Sequence, residues 1–335
     1  MQVAPTAWGP DLYLYFQRRV AEIGLKAAHA RWHRQGWPKS YSVLFEEERR
    51  SGFPYTRLRA RAGLGYRVDL ERPRSFNEKL IHRRLWSRDP VWPVVSDKVA
   101  ARDWIKKRGL DKHAALMPAL DVVEDLSRFD PTAYGEPVVI KAAWASGMNL
   151  FLTPGRFDPL AVLAQMREWQ AKPYNVHNLV WSSHLIPRRF LVERMFTTRT
   201  GESPPDYKFF VFNGKVVVIQ LDVGRSGGHR QNLFTRDGTP IPVRYIAEAD
   251  PANTLPGAQI DVLLNAAEAL GAGFDFVRID LYCLDGLVYF GEITQTPNLG
   301  FRAFRPLSFD FELGSRWDYA TTLQAGALAK HSFLG

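Results

Sequence analysis

Residues 276–300, FVRIDLYCLDGLVYFGEITQTPNLG, decide how the rest of the chain is interpreted. Apolar and polar residues alternate in the first half, and Asp285-Gly286 is typical of a two-residue turn between antiparallel strands, so the segment predicts a β-hairpin. Asp280 lies on the first strand and Glu292 on the second, with the turn between them. We therefore expect strand pairing to bring the two carboxylates side by side.

Two neighbouring buried carboxylates need a counter-charge. One or two Mg²⁺ ions would supply it, because this hard cation prefers carboxylate oxygens. Arg278 precedes Asp280 by two residues and points to the same strand face, so the pattern indicates a site for phosphate or another oxyanion. The alternative is a structural hairpin with an Arg–Asp–Glu salt-bridge cluster, and the hairpin alone does not decide between the two.

Other segments carry charged residues on predicted strands. The strand ending at Lys141 precedes a small-residue loop, and a lysine beside such a loop can hold phosphate oxygens. Another strand contains Glu193. Lys208 lies on an aromatic-rich strand and would be costly to bury without an anion. Lys98 opens a helical pattern farther upstream.

In chain order these segments resemble the ATP-grasp superfamily, and they are most similar to its teichuronopeptide-biosynthesis (TupA-like) branch. The similarity extends over residues 73–314. The motifs that carry it are Ser75-Phe76-Asn77-Glu78-Lys79-Leu80, Ser96-Asp97-Lys98-Val99, Ser146-Gly147-Met148-Asn149, Asp206-Tyr207-Lys208-Phe209-Phe210, Arg278-Ile279-Asp280 and Tyr289-Phe290-Gly291-Glu292.

The resemblance implies an α/β (α+β) ATP-grasp fold that holds ATP between two antiparallel sheets. It implies that Lys98, Lys141, Lys208 and the loop Ser146, Gly147, Met148 and Asn149 contact the nucleotide. It implies an adenine edge at Glu193 and Met195, a ribose contact at Asp206, and catalytic roles for Arg278 and Lys208. The metal ligands would be Asp280 and Glu292, completed by Thr294 or Asn298.

Two of these positions depart from the family pattern. Thr294 stands where many ATP-grasp enzymes have Asn, and a hydroxyl is a weaker Mg²⁺ ligand than an amide oxygen. Asn298 stands where amide ligases often have Gly, so its side chain would narrow the substrate pocket.

The expected activity is ATP- and Mg²⁺-dependent carboxylate–amine ligation through an acylphosphate. The resemblance suggests a carboxylate on a small molecule or polysaccharide, such as a uronic acid of a cell-surface polymer, and an amino acid or small amine as acceptor. The alternatives are an ATP-grasp kinase without ligation and a non-catalytic polyanion-binding protein.

Composition excludes several other classes. No apolar run is long enough to cross a bilayer, and the lone Cys283 can form no internal disulfide. The aromatic residues are dispersed, so no specific nucleic acid is expected as a partner. The expected location is the cytoplasm. The expected divisions are a basic helical region 1–60, an α/β lobe 61–135, a small ATP-grasp lobe 136–192 and a C-terminal lobe with the metal site 193–335.

Basic charge is concentrated near the N-terminus: residues 1–110 contain 23 Lys and Arg against 11 Asp and Glu. This asymmetry allows peripheral association with an anionic polymer or the inner face of a membrane. Apolar residues recur there at helical spacing, and we expect that stripe to pack on its own domain. The stripe consists of Leu12, Phe16, Val20, Ile23, Ala27 and Ala30. A second helix is predicted over 158–170, with Leu160, Leu163, Ala164 and Trp169 facing inward.

Overall fold

The computed structural model describes residues 10–34, 40–196, 204–224 and 227–319. Within them the helices are α1 (Pro10–Arg34), α2 (Tyr41–Arg50), α3 (Pro54–Leu64), α4 (Phe76–Trp86), α5 (Val91–Ser96), α6 (Ala100–Lys107), α7 (Pro159–Ala171), α8 (Trp181–Leu185), α9 (Ile260–Gly271) and α10 (Ser308–Ser315). The strands are β1 (Ala115–Leu116), β2 (Ala119–Val123), β3 (Val138–Ala142), β4 (Asn149–Leu152), β5 (Phe190–Arg194), β6 (Asp206–Phe212), β7 (Lys215–Val223), β8 (Arg230–Thr235), β9 (Pro240–Ile241), β10 (Phe276–Leu284) and β11 (Leu287–Thr294).

The chain forms two compact units. Unit 1 comprises Met1–Ser87, Asn175–Val180 and Thr296–Gly335, and unit 2 comprises Arg88–Tyr174 and Trp181–Gln295. The four-part division expected from the sequence is finer, and its boundaries stay predictions. No helix in the described part of the chain combines the length and apolar character needed to cross a membrane.

Unit 2 contains both sheets. In the described residues the large sheet has the strand order β1-β11-β10-β6-β7-β8-β9, and the small sheet has the order β2-β5-β3-β4. Neighbouring strands are antiparallel except for β1, which runs parallel to β11. The predicted mixed α/β architecture with two sheets is therefore confirmed.

The large sheet has one apolar and one polar face because apolar and polar residues alternate along its central strands. Phe209, Ile279 and Leu281 point to one side and are fully buried in a core with α9, α5 and α6. The residues between them, including Lys208 and Asp280, point to the other side. This alternation places the charged residues of neighbouring strands on one shared surface.

The small sheet packs against α7, but not through the residues expected. Val162 and Met166 are buried, whereas Leu160 is 76% exposed and Ala164 is also exposed. The predicted inward face was thus wrong at those two positions. The helix begins at Pro159, so Leu160 lies in its first turn, and the buried stripe of the helix runs through Val162 and Met166 instead.

In unit 1, α1 packs on α3 through the face opposite to the one expected. Val20 and Ile23 are 58% and 68% exposed, and Phe16 is also exposed, while Ala21 is fully buried. Small residues explain why this face packs on α3. A Cβ added at Gly24 would lie 3.1 Å from the Leu58 side chain, so the two helices approach more closely than larger residues would allow. The prediction that the apolar stripe packs on its own domain was wrong. The Leu12 side chain and the segment 35–39 lie outside the described residues.

Candidate active site

The hairpin predicted at residues 276–300 is formed by β10 and β11. Asp285 and Gly286 adopt φ of 50° and 80°, as a two-residue hairpin turn of the favoured twist requires. Asp280 pairs with Glu292, and Arg278 pairs with Thr294. The predicted juxtaposition of the two carboxylates is confirmed, and all four side chains lie on the polar face of the large sheet.

This register depends on a β-bulge at Gly291. Leu281 pairs with Phe290 and Asp280 with Glu292, so Gly291 is the extra residue on β11. A Cβ at Gly291 would lie 2.8 Å from the carbonyl oxygen of Asp280, a separation too short for any larger residue. The bulge moves Glu292 onto the face that Asp280 occupies.

Arg278 holds the carboxylates together. Its Nε donates to Asp280 Oδ1 at 2.6 Å and its Nη2 to Asp280 Oδ2 at 2.7 Å. The same Nη2 lies 3.0 Å from Glu292 Oε1 and 3.2 Å from Thr294 Oγ1. The forked guanidinium therefore fixes the separation and orientation of both acids.

Lys208 completes this network from the neighbouring strand. Its Nζ donates to Asp206 Oδ2 at 2.5 Å and to Asp280 Oδ2 at 2.7 Å, and the lysine is 6% exposed. Asp206 and Asp280 are the anions that offset the cost of burying Lys208. The ribose contact proposed for Asp206 stays a prediction.

Electrostatics follow from this arrangement. Burial would raise the pKa of Glu292, but the charges of Arg278, Lys98 and Lys208 outweigh it and lower the pKa to about 2. Burial raises the pKa of Asp280, and the opposite charges of Arg278 and Lys208 only partly offset that effect. Burial alone would lower the pKa of Lys208, but Asp280 and Asp206 raise it. The network holds its lysine and arginine as cations.

The donor set fits Mg²⁺. Two carboxylates and the Thr294 hydroxyl share one surface, and the Glu292 side chain is 38% exposed and so reaches the open edge of the network. Mg²⁺ commonly takes one or two protein carboxylates and fills its remaining positions with water and phosphate oxygens. No cluster of three or more His, Cys, Asp or Glu with metal-binding geometry occurs in the described residues. Asn298 lies in unit 1 with φ 49°, and its role as a ligand stays a prediction.

The small sheet carries a second charged group. Lys141 on β3 donates to Glu193 Oε2 at 2.5 Å, and Arg102 on α6 donates to Glu193 Oε1 at 2.8 Å. Glu193 is 4% exposed, whereas the Lys141 side chain is 26% exposed. Lys141 is thus tethered by one carboxylate but remains within reach of a ligand.

The loop after β3 lies beside Lys98. The Lys98 ammonium donates to the carbonyl oxygens of Ala142 and Ala145, which fixes it at the end of β3. Asn149 pairs with Lys141, and its Oδ1 is buried without a hydrogen-bond partner among the described residues. The rest of the predicted loop is more open: Ser146 and Gly147 are exposed, and Met148 is half-buried.

Met195 follows β5, and its backbone N–H donates to Pro137 O at 2.9 Å. The adenine edge expected at Met195 stays a prediction. The neighbouring Phe196 packs edge-on against Tyr289 of β11, with ring centroids 4.6 Å apart. These contacts place the end of β5 beside the strand that carries Glu292.

Sequence reasoning missed a second acidic centre on the polar face. Asp222 pairs with Asp206 across β6 and β7, is 3% exposed, and accepts hydrogen bonds from three side chains. The donors are Gln220 Nε2 at 2.8 Å, Gln231 Nε2 at 2.7 Å and His229 Nε2 at 2.9 Å. Burial alone would raise the pKa of Asp222, but Lys208 and these donors lower it, so the group is a carboxylate.

Comparison with known families identifies a matching family. The family model described as TupA-like ATPgrasp matches residues 78–317, which is most of the chain. No curated protein sequence matches.

Among solved structures, the chain is similar to a D-alanine–D-alanine ligase from Bacillus anthracis complexed with ATP, at 12% identity and a TM-score of 0.37, over 61% of this chain and 54% of that one. It is also similar to N5-carboxyaminoimidazole synthase from Aspergillus clavatus, at 12% identity and a TM-score of 0.36, over 60% of this chain and 44% of that one. The chain thus spans about half the length of these proteins.

Proposed function

The chain belongs to the TupA-like ATP-grasp family, and on that premise we propose that it is an ATP- and Mg²⁺-dependent ligase that joins a carboxylate to an amine through an acylphosphate. The observation that carries the proposal is the in-register pairing of Asp280 with Glu292, held by Arg278 and Lys208. A structural salt-bridge cluster needs no third cation such as Lys98 near it, yet Lys98 also lowers the pKa of Glu292.

In the first step the substrate carboxylate attacks the γ-phosphate of ATP, and ADP leaves. Asp280 and Glu292 would hold Mg²⁺, which supplies charge neutralisation for the β- and γ-phosphates when it is bound. Lys208 is already fixed by two carboxylates, so it presents its charge without losing side-chain freedom on binding. Arg278 lies beside it and stabilises the oxyanion that develops.

In the small sheet, nucleotide binding requires an exchange of partners. Lys141 is paired with Glu193, and Arg102 pairs with the same carboxylate. When a triphosphate approaches, Lys141 turns to the phosphate, and Glu193 keeps a counter-charge in Arg102. Glu193 is then available for a hydroxyl or amino group of the nucleoside, as the resemblance implies.

In the second step an amine attacks the acyl carbon. An ammonium group must first lose a proton, so this step needs a base. Asp222 accepts the N–H of His229 at Nε2, which leaves Nδ1 with the lone pair in the neutral ring. We assign this pair as orienting carboxylate and general base.

His229 Nδ1 takes one proton from the ammonium, and the nitrogen lone pair forms the C–N bond. The acyl C–O bond breaks, and phosphate leaves with the electron pair and the second amine proton. The His229 side chain is 31% exposed, so it can return its proton to solvent.

The proposed carboxylate is a uronic acid or another sugar acid of a cell-surface polymer, and the proposed acceptor is an amino acid or small amine. The family resemblance supports this choice. The kinase alternative uses the same hairpin, and the same histidine would serve it as a base, because an alcohol also loses a proton when it is phosphorylated. The two activities therefore have to be separated by experiment.

The test uses hydroxylamine, which is uncharged at neutral pH and traps acylphosphates as hydroxamates. The enzyme is incubated with ATP, Mg²⁺, hydroxylamine and one of a panel of uronates, beginning with D-glucuronate. A ligase forms a uronate-dependent hydroxamate and releases phosphate in equal amount. Phosphate transfer to an alcohol, without hydroxamate for any member of the panel, would make the protein a kinase.

We also propose that the protein works in the cytoplasm and that it binds the inner face of the membrane. In this proposal α1 contacts anionic lipid headgroups. The support is the exposure of Val20 and Ile23 beside the exposed Arg19 and Lys26. Sedimentation with vesicles that contain phosphatidylglycerol should exceed that with neutral vesicles, and Ile23→Asp should reduce it. Leu160→Asp, at an exposed apolar residue of α7, is the control. Equal binding to both vesicle types would contradict this part of the proposal.

A further inference from the structure

In the described part of unit 1, one buried arginine has neither a hydrogen-bond partner nor an ion-pair partner. Arg84 on α4 is 2% exposed, and its Nε, Nη1 and Nη2 are all buried without a hydrogen-bond partner in the described residues. Its guanidinium lies over the ring of Phe301, 4.3 Å from the centroid. A cation–π contact satisfies the ring face but none of the five N–H donors of the guanidinium.

A second guanidinium adds to this charge. Arg59 on α3 lies over the same ring, 5.3 Å from its centroid. Burial, together with the like charge of Arg59, lowers the pKa of Arg84 to about 9. Burial likewise lowers the pKa of the adjacent His177, helped by the charges of Arg59 and Arg84. The surroundings are therefore electropositive as well as dry.

The nearby polar groups make no hydrogen bond to Arg84 in the described part of the chain. His29 Nε2 lies 2.9 Å from the Tyr55 hydroxyl, so these two groups bond to one another. Glu48 is buried beside Tyr55, but it accepts the backbone N–H groups of Tyr55 and Thr56. An isolated buried charge is among the most costly features a fold can contain, and it is usually paired by a carboxylate or a ligand.

We propose that Arg84 and Arg59 form an oxyanion-binding site, separate from the ATP site, for a phosphate or carboxylate group. The forked guanidinium suits both groups, because each presents two oxygens to a pair of parallel N–H bonds. The aromatic ring of Phe301 keeps the two cations in place before the anion arrives. The site does not depend on the ligase proposal, and it stands whether or not the protein forms amides.

The proposal predicts an unusual combination of effects in Arg84→Met. The variant keeps the length of the side chain and removes the unpaired charge, so its melting temperature in chloride buffer should be higher than that of the wild type. It should also lose the response to oxyanions. A residue that only packs against Phe301 would show neither effect.

The experiment measures thermal unfolding of the full chain at constant ionic strength, in chloride, inorganic phosphate or D-glucuronate. A saturating non-hydrolysable ATP analogue with Mg²⁺ is present throughout, so the nucleotide site contributes no response. At a concentration of about a hundred times its dissociation constant, the fitting anion should raise the wild-type melting temperature by on the order of 5 °C. The anion that acts identifies the chemistry as phosphate or carboxylate.

Arg59→Gln should lower the affinity for the anion at least tenfold, as measured from the rise in melting temperature with anion concentration. The control is Arg50→Gln, at an exposed arginine of α2, and it should respond as the wild type does. The proposal is overturned if neither anion stabilises the wild type beyond chloride. It is also overturned if Arg84→Met keeps the response or melts at a lower temperature than the wild type in chloride.

Discussion

Arg278 and Arg84 are both buried guanidinium groups, 8% and 2% exposed, but they differ in what surrounds them. Arg278 makes hydrogen bonds to Asp280, Glu292 and Thr294, and these carboxylates raise its pKa despite burial. Arg84 has no hydrogen-bond partner among the described residues, and burial lowers its pKa. Neighbouring carboxylates balance the first charge. No described group forms a hydrogen bond with the second, and this difference is the basis of the anion site proposed for it.

The strongest test of the paired network removes one of its acids. Asp280→Asn and Glu292→Gln keep the side-chain shape but remove a negative charge, so we expect ATP turnover to fall by more than about a thousandfold. Circular dichroism should show an unchanged fold. Turnover near the wild-type rate at saturating Mg²⁺ in either variant would show that the paired carboxylates are structural.

Changing Arg278 tests whether the fork, rather than the charge alone, matters. Arg278→Lys keeps a cation but loses the planar fork that bonds both oxygens of Asp280 and reaches Glu292, so amide formation should fall by about a hundredfold to a thousandfold. ATP affinity, measured by calorimetry, should change little because the fork acts mainly in the transition state. Arg50→Lys serves as the control. Undiminished amide formation would remove Arg278 from the mechanism.

His229→Gln separates the two chemical steps. Gln can still donate to Asp222, so the fold should persist, but amide formation from an ammonium substrate should fall by about a hundredfold. Hydroxamate formation should stay at the wild-type rate because hydroxylamine needs no base. Raising the pH should restore amide formation as free amine accumulates. His113→Gln, at a half-buried histidine before β1, is the control, and equal loss of both products would contradict the assignment.

The smallest effect is expected at Lys141, which is held by one carboxylate rather than two. Lys141→Ala should weaken ATP binding by about tenfold and adenosine binding hardly at all, since a point-charge contact to phosphate is lost while the adenine edge remains. Calorimetry with both ligands measures the difference. An unchanged ATP affinity would mean that Lys141 only neutralises Glu193.

The hairpin could be predicted from the sequence because its signals are local. Alternation along residues 276–282 and the Asp285-Gly286 turn fix two strands and the charged face of one of them. The bulge at Gly291 could not be predicted from alternation. Without it, Asp280 would pair with Gly291 and Glu292 would point to the apolar face, so the expected juxtaposition arises from a backbone detail that the prediction did not include.

The missed features depend on contacts between distant segments. Asp222 and His229 are joined across a strand connection, and no spacing motif marks a carboxylate paired with one histidine. The packing face of α1 was misjudged because small residues, Ala21 and Gly24, allow closer approach to α3 than the larger apolar residues opposite them. Arg84 reads as an ordinary basic residue of a helix, and only its burial reveals an unpaired charge.

The central claim, ligation through an acylphosphate, is tested most directly by isotope transfer. The accepted uronate is labelled with ¹⁸O in its carboxylate and incubated with enzyme, ATP, Mg²⁺ and amine, and the released phosphate is analysed by mass spectrometry. The account predicts that each amide formed is matched by one phosphate carrying one carboxylate-derived ¹⁸O. Amide formation or ATP consumption with unlabelled phosphate would contradict it.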